Sequence, residues 1–241
     1  MIKKKLFQKM FYNFSKFAAS INLKPVELDL KGAKCLCLSP HPDDETIGMG
    51  ATLALFAQQF EVILLTDGRK GIKDKKSEEV IQIRQEEFKK AMETAKISEY
   101  SFLDIQDKKL FTGSDSFKKI SLEYDYIFIP NIIDQHPDHK AVSFLLKELI
   151  DSGVKLNPDV KICMYEVWST LPLVNAFVDI SDVIETKKTM INCYKSQTAQ
   201  KDYEYYALGL NQYRGMFKDK KYVEAFFVMN LQELKNICGI Y

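Results

Sequence analysis

Short apolar runs rich in β-branched and aromatic residues alternate along the chain with longer stretches whose apolar positions recur three and four residues apart. The runs predict strands at Cys35–Leu38, Val62–Thr66, Ser101–Ile105, Tyr126–Pro130, Ile162–Val167, Phe177–Ile180 and Ala225–Met229. The longer stretches predict helices at Thr52–Gln59, Glu78–Lys96, Lys140–Asp151 and Asp182–Lys195. Turn signals fall between them at Asp67-Gly68, Thr112-Gly113-Ser114 and Asp151-Ser152-Gly153. Strands that are apolar throughout, each followed by a helix, are buried on both faces. The expected fold is therefore α/β: a Rossmann-like three-layer arrangement with a mostly parallel central sheet flanked by helices. With no repeat, low-complexity tract or linker, residues 31–241 are expected to form a single domain, and residues 1–30 an N-terminal extension packed on it.

In such sheets ligands bind beyond the carboxyl ends of the strands. The polar residues concentrate there. The first predicted strand is followed by Ser39-Pro40-His41-Pro42-Asp43-Asp44-Glu45, the second ends in Thr66-Asp67-Gly68-Arg69, and the fourth leads to Asn131 and then Asp134-Gln135-His136-Pro137-Asp138-His139.

Composition narrows the classes. In 241 residues, 34 Lys and Arg balance 33 Asp and Glu, 46% of residues are hydrophobic, and no apolar run approaches 18 residues, which excludes a disordered chain and a spanning helix. The interspersed charges and net +1 give no footprint for nucleic acid. The five cysteines (Cys35, Cys37, Cys163, Cys193, Cys238) form no C-x-x-C and read as reduced core thiols, which suits a cytoplasmic protein. Residues 1–19 combine Lys3-Lys4-Lys5 with Leu6, Phe7, Met10, Phe11, Phe14 and Phe17. Gln8, Lys9, Asn13 and Lys16 interrupt the apolar run, so it predicts a short basic amphipathic helix rather than a secretory signal. Such a helix either straps the domain or touches the inner face of a membrane.

All three histidines of the chain lie in two matched tetrapeptides, His41-Pro42-Asp43-Asp44 and His136-Pro137-Asp138-His139, each after a predicted strand. A catalytic divalent ion takes three imidazole or carboxylate ligands and keeps a position for water. Two histidines and one aspartate meet that count, because a His and an Asp three residues apart across a stiffening proline can face one ion while the other loop supplies the third ligand. The remaining acids and histidine would then serve as general base and charge stabiliser for hydrolysis. The bland alternative is that these residues cap helices and fill turns.

The same residues resemble a known family, the PIG-L or LmbE-like metal-dependent deacetylases, which remove N-acetyl groups from amino sugars and glycoconjugates. Pro40 to Glu45 is similar to the family's H-P-D-D-E motif, Leu65-Thr66-Asp67-Gly68 to its T-x-G segment, and Arg84 to Glu87 with Ala91 to its R-x-x-E-x-x-x-A helix. Phe102-Leu103 through Asp107 to Leu110 resembles its F-L-x-x-x-D-G-x-L stretch, and His136 to His139 its H-P-D-H. Asp179-Ile180-Ser181, Lys187, Ser196-Gln197 and Glu224-Ala225-Phe226 resemble its late signatures. Lys108 stands where that family often has glycine, and Tyr194 where it commonly has histidine.

The resemblance implies an N-deacetylase with Zn²⁺, or Fe²⁺ since ligand type does not select the metal. It implies that His41, Asp44 and His139 hold the ion, that Asp43 is the general base, and that an N-acetylated sugar or glycoconjugate is the substrate. His136 is left as a protonated histidine that stabilises the oxyanion or delivers a proton to the leaving amine. Asp138 either holds that imidazole charged or caps the following helix, and Glu45 either orients a ligand or is a first-turn helix charge. Arg84 and Asp107 are candidate substrate contacts, although Arg84 with Glu87 also reads as an exposed helix pair. Trp168, the sole tryptophan, either stacks on a sugar or belongs to the core.

Two rivals come from other classes. Gly48-Met49-Gly50, with Asp67 about 20 residues on, hints at a nucleotide-binding Rossmann turn, but its third glycine position is Leu53 and the glycines begin well beyond the strand; they fit better as small residues letting the loop turn into the helix. A non-catalytic glycan-binding protein would be expected to lack one of the metal residues, and none is missing.

Overall fold

The computed structural model describes residues 24–216 and 218–240; the predicted N-terminal helix of residues 1–19 lies outside the described residues. Eight strands form one sheet: β1 (Val26–Glu27), β2 (Cys35–Ser39), β3 (Phe60–Thr66), β4 (Glu99–Ile105), β5 (Tyr126–Pro130), β6 (Lys161–Tyr165), β7 (Ala176–Asp179) and β8 (Val223–Met229), in the spatial order β1, β7, β8, β6, β5, β2, β3, β4. All neighbours are parallel except β8, which runs antiparallel to both β6 and β7. The parallel core follows from residue choice: β2 is buried along its whole length, and β3 and β5 nearly so.

The described α-helices are α1 (Asp44–Leu55), α2 (Ser77–Ala95), α3 (Ser114–Phe117), α4 (Pro137–Asp151), α5 (Ile184–Cys193), α6 (Lys195–Thr198), α7 (Tyr203–Met216) and α8 (Leu231–Cys238). Two apolar clusters lie on opposite faces of the sheet. One packs Leu36, Leu38, Ile127 and Ile129 against Val142, Leu145 and Leu146 of α4 and Leu234 of α8. The other packs Cys37, Val62, Leu64 and Phe128 against Leu53 of α1, Phe88 and Met92 of α2 and Met190 of α5. This is the three-layer architecture expected, and the five cysteines are all free thiols. No described helix is long and apolar enough to cross a membrane.

One difference from expectation lies where polar residues are buried. Helix α1 begins at Asp44 instead of Thr52, because Asp44, Glu45 and Thr46 face inward and break the apolar period. Gly48 and Gly50 therefore sit inside a helix and not in a strand–helix turn, which removes the nucleotide-binding geometry. A Cβ on Gly48 would lie 2.5 Å from the Tyr165 ring, so glycine here serves helix–sheet packing. Residues 26–30 join the sheet edge and core, with Val26 and Glu27 paired to β7 and Leu30 fully buried.

Helix α1 is also kinked, with Met49 at φ −148°, ψ 25°. Beyond the kink the freed N–H groups of Ala51 and Thr52 donate to the Glu224 carboxylate at 3.1 and 2.7 Å, and Thr52 Oγ1 donates to it at 2.5 Å. Lys187 Nζ neutralises that carboxylate at 2.6 Å, with both side chains fully buried. A buried charge needs both a counterion and hydrogen bonds, and here one ion pair caps the second half of the helix whose first turn carries Asp44.

Candidate active site

The strand order puts β2 beside β5, and the chain leaves β2 toward β3 on one side and β5 toward β6 on the other, which opens a crevice at their carboxyl ends. The loops after β2, β3, β4, β5 and β6 enclose a cavity of about 310 Å³ lined by His41, Asp43, Asp44, Asp107, His136 and Trp168, among others. The β2 loop is tied to β3, whose Thr66 N–H and hydroxyl both donate to Pro40 O at 3.0 and 2.7 Å. Gly68 at φ +62° lies under Pro42, where a Cβ would stand 2.9 Å from the proline ring, so this turn admits no other residue without movement. Asp43, at φ +116°, is the strained residue just before α1.

Asp44 Oδ2 stands 3.0 Å from His41 Nδ1 and 3.0 Å from His139 Nε2. The opposite nitrogen of each ring faces another carboxylate: His41 Nε2 lies 3.2 Å from Asp138 Oδ2 and 3.4 Å from Asp107 Oδ1, and His139 Nδ1 lies 3.2 Å from Asp134 Oδ2. An imidazole with one nitrogen at a shared centre and the other steered by a carboxylate is the arrangement of metal-ligating histidines. Donors around a tetrahedral ion at about 2.0–2.2 Å stand roughly 3.3 Å apart, close to the 3.0 Å between Asp44 Oδ2 and each of the two ring nitrogens. His139 is fully buried, yet neither of its ring nitrogens makes a hydrogen bond. The residues present therefore fit a cation. Among the described residues, ligand atoms of His41, His136 and His139, and of His41, Asp107 and Asp138, each lie within 4.8 Å of one another, so a candidate His/Asp metal site is present.

The electrostatics agree. Burial by itself would raise Asp44, but His139 and then His41 hold its carboxyl well below the usual range. Burial would lower His139, but the Asp44 and Asp134 carboxylates outweigh it and bring the imidazole to about 9; His41 is likewise carried upward by Asp107, Asp138 and Asp44. Without metal, protons on the imidazoles supply positive charge that this acidic cluster demands, and a dication would replace them. Burial pushes Asp43 up to about 7 against the opposing pull of Arg84.

Several predicted residues occupy sharper positions than the sequence resolved. Arg84 is 2% exposed and donates through Nη2 to Pro42 O and, at 3.1 Å, to Asp43 Oδ2, with Glu87 at 3.7 Å; it is not an exposed helix pair. Glu87 in turn accepts from Ser196 N and Oγ at 2.6 and 2.7 Å. Glu45 accepts from Ser39, Thr46 and Tyr194 at 2.8, 2.7 and 2.5 Å, so it clamps the loop rather than serving as a surface helix charge. Tyr194 is accordingly a buried partner of Glu45 and not a residue of the substrate rim. Trp168 is 44% exposed at the cavity wall and is not core; its backbone N–H donates to Asp134 Oδ2 at 2.9 Å.

Two expectations for the second motif are corrected. Asp138 neither holds the His136 ring nor caps α4 with its side chain; its carboxylate accepts from Lys108 N and Leu110 N at 2.7 and 3.2 Å and faces His41. His136 is the N-cap, its Nδ1 accepting the Asp138 N–H at 3.3 Å. A nitrogen that accepts carries no proton, so His136 is neutral here, with Nε2–H as its one donor. Burial, then His41 and His139, also lower its basicity.

Lys108, where the resembled family has glycine, adopts φ +66°, the left-handed region that glycine enters without steric cost. Lys108→Gly is expected to leave stability unchanged or to raise it by up to about 1 kcal/mol in urea unfolding. A loss above about 1 kcal/mol would mean that the lysine side chain holds the loop.

Sequence reasoning missed Asp134, fully buried, which also accepts the His136 N–H at 2.9 Å. Its signal was present, an acid at a strand end two residues before the first histidine of the motif. Gln197 of the Ser196-Gln197 signature lines the cavity, as do Lys70 and Tyr203, which nothing in their local sequence marked.

Residues 36–150 match the family described as PIG-L: GlcNAc-PI de-N-acetylase. The match runs from β2 to the end of α4 and so contains both histidine motifs. Across a wider span the chain is 27% identical over 250 residues to diacetylchitobiose deacetylase of Thermococcus kodakarensis, covering 90% of this chain and 93% of that one. It superposes on N,N'-diacetylchitobiose deacetylase of Pyrococcus horikoshii, solved with its inhibitor MPG, with TM-score 0.74, 25% identity and 94% of each chain covered. A 4-carboxy-2-hydroxymuconate hydratase of Pseudomonas putida shares the fold at TM-score 0.66 and 20% identity, covering 81% of this chain and 96% of that one. This fold thus hosts more than one chemistry, and the reaction has to be argued from the site.

Proposed function

We propose that this chain, an N-deacetylase of the PIG-L kind, hydrolyses the acetamide of an N-acetylated amino sugar or sugar conjugate with the help of Zn²⁺ or Fe²⁺ held by His41, Asp44 and His139. The observation that carries this reading is the single carboxylate oxygen of Asp44 at 3.0 Å from one nitrogen of each histidine, beside Asp43 in the same cavity. When bound, such an ion lowers the pKa of its water and polarises the scissile carbonyl.

The protein residues have four tasks. Hydrolysis adds water across the C–N bond to give acetate and an amine, so one proton leaves the attacking water and one reaches the nitrogen. Asp43, its carboxylate fixed by the Arg84 guanidinium at 3.1 Å, accepts the first and, once protonated, is the acid that passes it to the nitrogen as the C–N bond breaks. His136, neutral with Nε2–H as donor, is placed to hydrogen-bond the oxygen on which negative charge develops. Asp134, Asp107 and Asp138 hold the two ligating imidazoles in orientation. Trp168 and Tyr203 form the wall against which the sugar is placed.

The test is elemental analysis of purified protein beside acetate release from N-acetylglucosamine and N,N'-diacetylchitobiose. Wild type is expected to retain about one transition-metal ion per chain after dialysis and to release acetate. His139→Ala is expected to lose both. Retention of full metal by His139→Ala would exclude this ligand set. A wild type that binds no metal after reconstitution would return the protein to the glycan-binding reading.

A further inference from the structure

Tyr194 lies between α5 and α6, fully buried, with a non-helical backbone at φ −83°, ψ 59°. Its carbonyl accepts from Gln197 N and Thr198 N, both at 2.9 Å, so the residue that ends one helix also opens the next. The side chain does not line the catalytic cavity, yet both groups that hold Asp43 rest on it.

The first contact runs through the hydroxyl. Tyr194 Oη donates to Glu45 Oε1 at 2.5 Å, and the other oxygen of that carboxylate accepts from Asp43 N at 3.3 Å and from Ser39 Oγ at 2.8 Å. The second runs through the ring. The Arg84 guanidinium carbon stands 5.7 Å from the ring centroid, a cation–π contact with both side chains out of water. Arg84 Nη2 in turn donates to Pro42 O and, at 3.1 Å, to Asp43 Oδ2. Glu45 therefore holds the backbone of Asp43 and Arg84 holds its carboxylate. Asp43 depends on such holding, because φ +116°, ψ −26° is a costly conformation for a residue other than glycine and persists only where the surroundings over-determine it.

We propose that Tyr194 is a positioning residue for the general base, fixing the backbone of Asp43 through Glu45 and its carboxylate through Arg84. The inference rests on the deacetylase reading above, in which Asp43 takes the proton from water. The residue type suits the task. A phenol is a donor in its neutral form, whereas the histidine common at this place in the resembled family donates from a given nitrogen only in one tautomer or when charged. Burial and the Glu45 carboxylate push the Tyr194 hydroxyl well above the ordinary tyrosine value, so it keeps its proton.

Steady-state acetate release and metal content would be measured for wild type, Tyr194→Phe and Tyr194→Leu, each with Asp43 intact and with Asp43→Asn. The substrate is whichever of N-acetylglucosamine and N,N'-diacetylchitobiose the wild type hydrolyses. Tyr194→Phe keeps the ring beside Arg84 and loses the hydroxyl. It is expected to lower kcat about tenfold, with KM within about twofold of wild type and about one metal ion per chain retained. Tyr194→Leu loses both contacts and is expected to lower kcat by about a further tenfold; should it not fold, the phenylalanine comparison decides alone. In the Asp43→Asn background Tyr194→Phe should change the residual kcat by less than about twofold, because a residue that works through Asp43 then has nothing left to position. Tyr124→Phe is the control. Tyr124 is another buried tyrosine whose hydroxyl donates to a carboxylate, that of Glu61, but near the amino ends of β3 and β5, and its substitution should leave kcat unchanged. A tenfold loss that recurs in full with Asp43→Asn, a loss carried by KM or by metal content, or no loss in Tyr194→Phe would overturn the positioning role and leave the deacetylase reading in place. If the wild type releases acetate from neither sugar, the deacetylase reading fails and the positioning role fails with it.

Discussion

Asp43→Asn is expected to reduce the rate of acetate release by about 10²–10⁴-fold, the usual cost of removing a positioned general base. The metal content should not change, because Asp43 lies outside the proposed ligand set of His41, Asp44 and His139. The fold should also survive. Asparagine matches the shape of aspartate and tolerates the positive φ that residue 43 adopts. Charge on Asp43 is moreover unfavourable in the folded state, since burial, reinforced by the neighbouring acids Asp44 and Glu45, carries its pKa to about 7 despite Arg84. A carboxyl raised in this way stabilises the fold below its unfolded pKa and loses that contribution as pH rises to about 7, so at a pH of about 8 the neutral amide should hold or raise the melting temperature. The decisive comparison is with His139→Ala, in which metal and activity should disappear together. An Asp43→Asn enzyme within about threefold of wild type, with its metal retained, would show that the proton from water goes elsewhere.

Lys187→Met is expected to destabilise the protein by about 3–5 kcal/mol, the cost of leaving one member of a buried ion pair uncompensated. At about 2–4 °C per kcal/mol for a chain of this size, the melting temperature should fall by roughly 6–20 °C. Glu224 and Lys187 are both fully excluded from solvent, and the carboxylate also receives Ala51 N, Thr52 N and Thr52 Oγ1. Those donors exist because α1 is broken at Met49. The double substitution Lys187→Met/Glu224→Gln should recover much of the loss, since a neutral amide no longer needs the cation although it keeps an acceptor for the helix N–H groups. Metal affinity should follow stability, because the first turn of the same kinked helix carries Asp44. Urea unfolding of the single and double variants tests this, and a single-variant loss below about 1 kcal/mol would mean that the pair is dispensable to the core.

Much of this protein is legible along the chain. The parallel strands β2, β3 and β5 are apolar on both faces, so they stand out as continuous runs, and the run Tyr126–Pro130 coincides with β5. The two histidine tetrapeptides are equally plain, because a proline-stiffened pair of polar side chains is a local device whose spacing is written in four residues. Helix α7 is not legible: Tyr205, Tyr206 and Tyr213 lie on its exposed face, so its aromatic residues trace no buried stripe. The start of α1 is hidden for the opposite reason, since Asp44, Glu45 and Thr46 are polar residues on the inward side.

What only the tertiary structure decided concerns partners distant in sequence. The insertion of antiparallel β8 between β7 and β6, the Lys187–Glu224 pair, the contact of Arg84 with Asp43 and the orientation of His139 by Asp134 all depend on which elements the sheet order brings together. A run of residues specifies its own backbone preference and the face it buries, because those depend on neighbours within a few positions. Whether a charge can be buried, and what proton or ion it then holds, depends on the carboxylates, imidazoles and guanidinium that surround it in space, and in this protein those arrive from several strand ends at once.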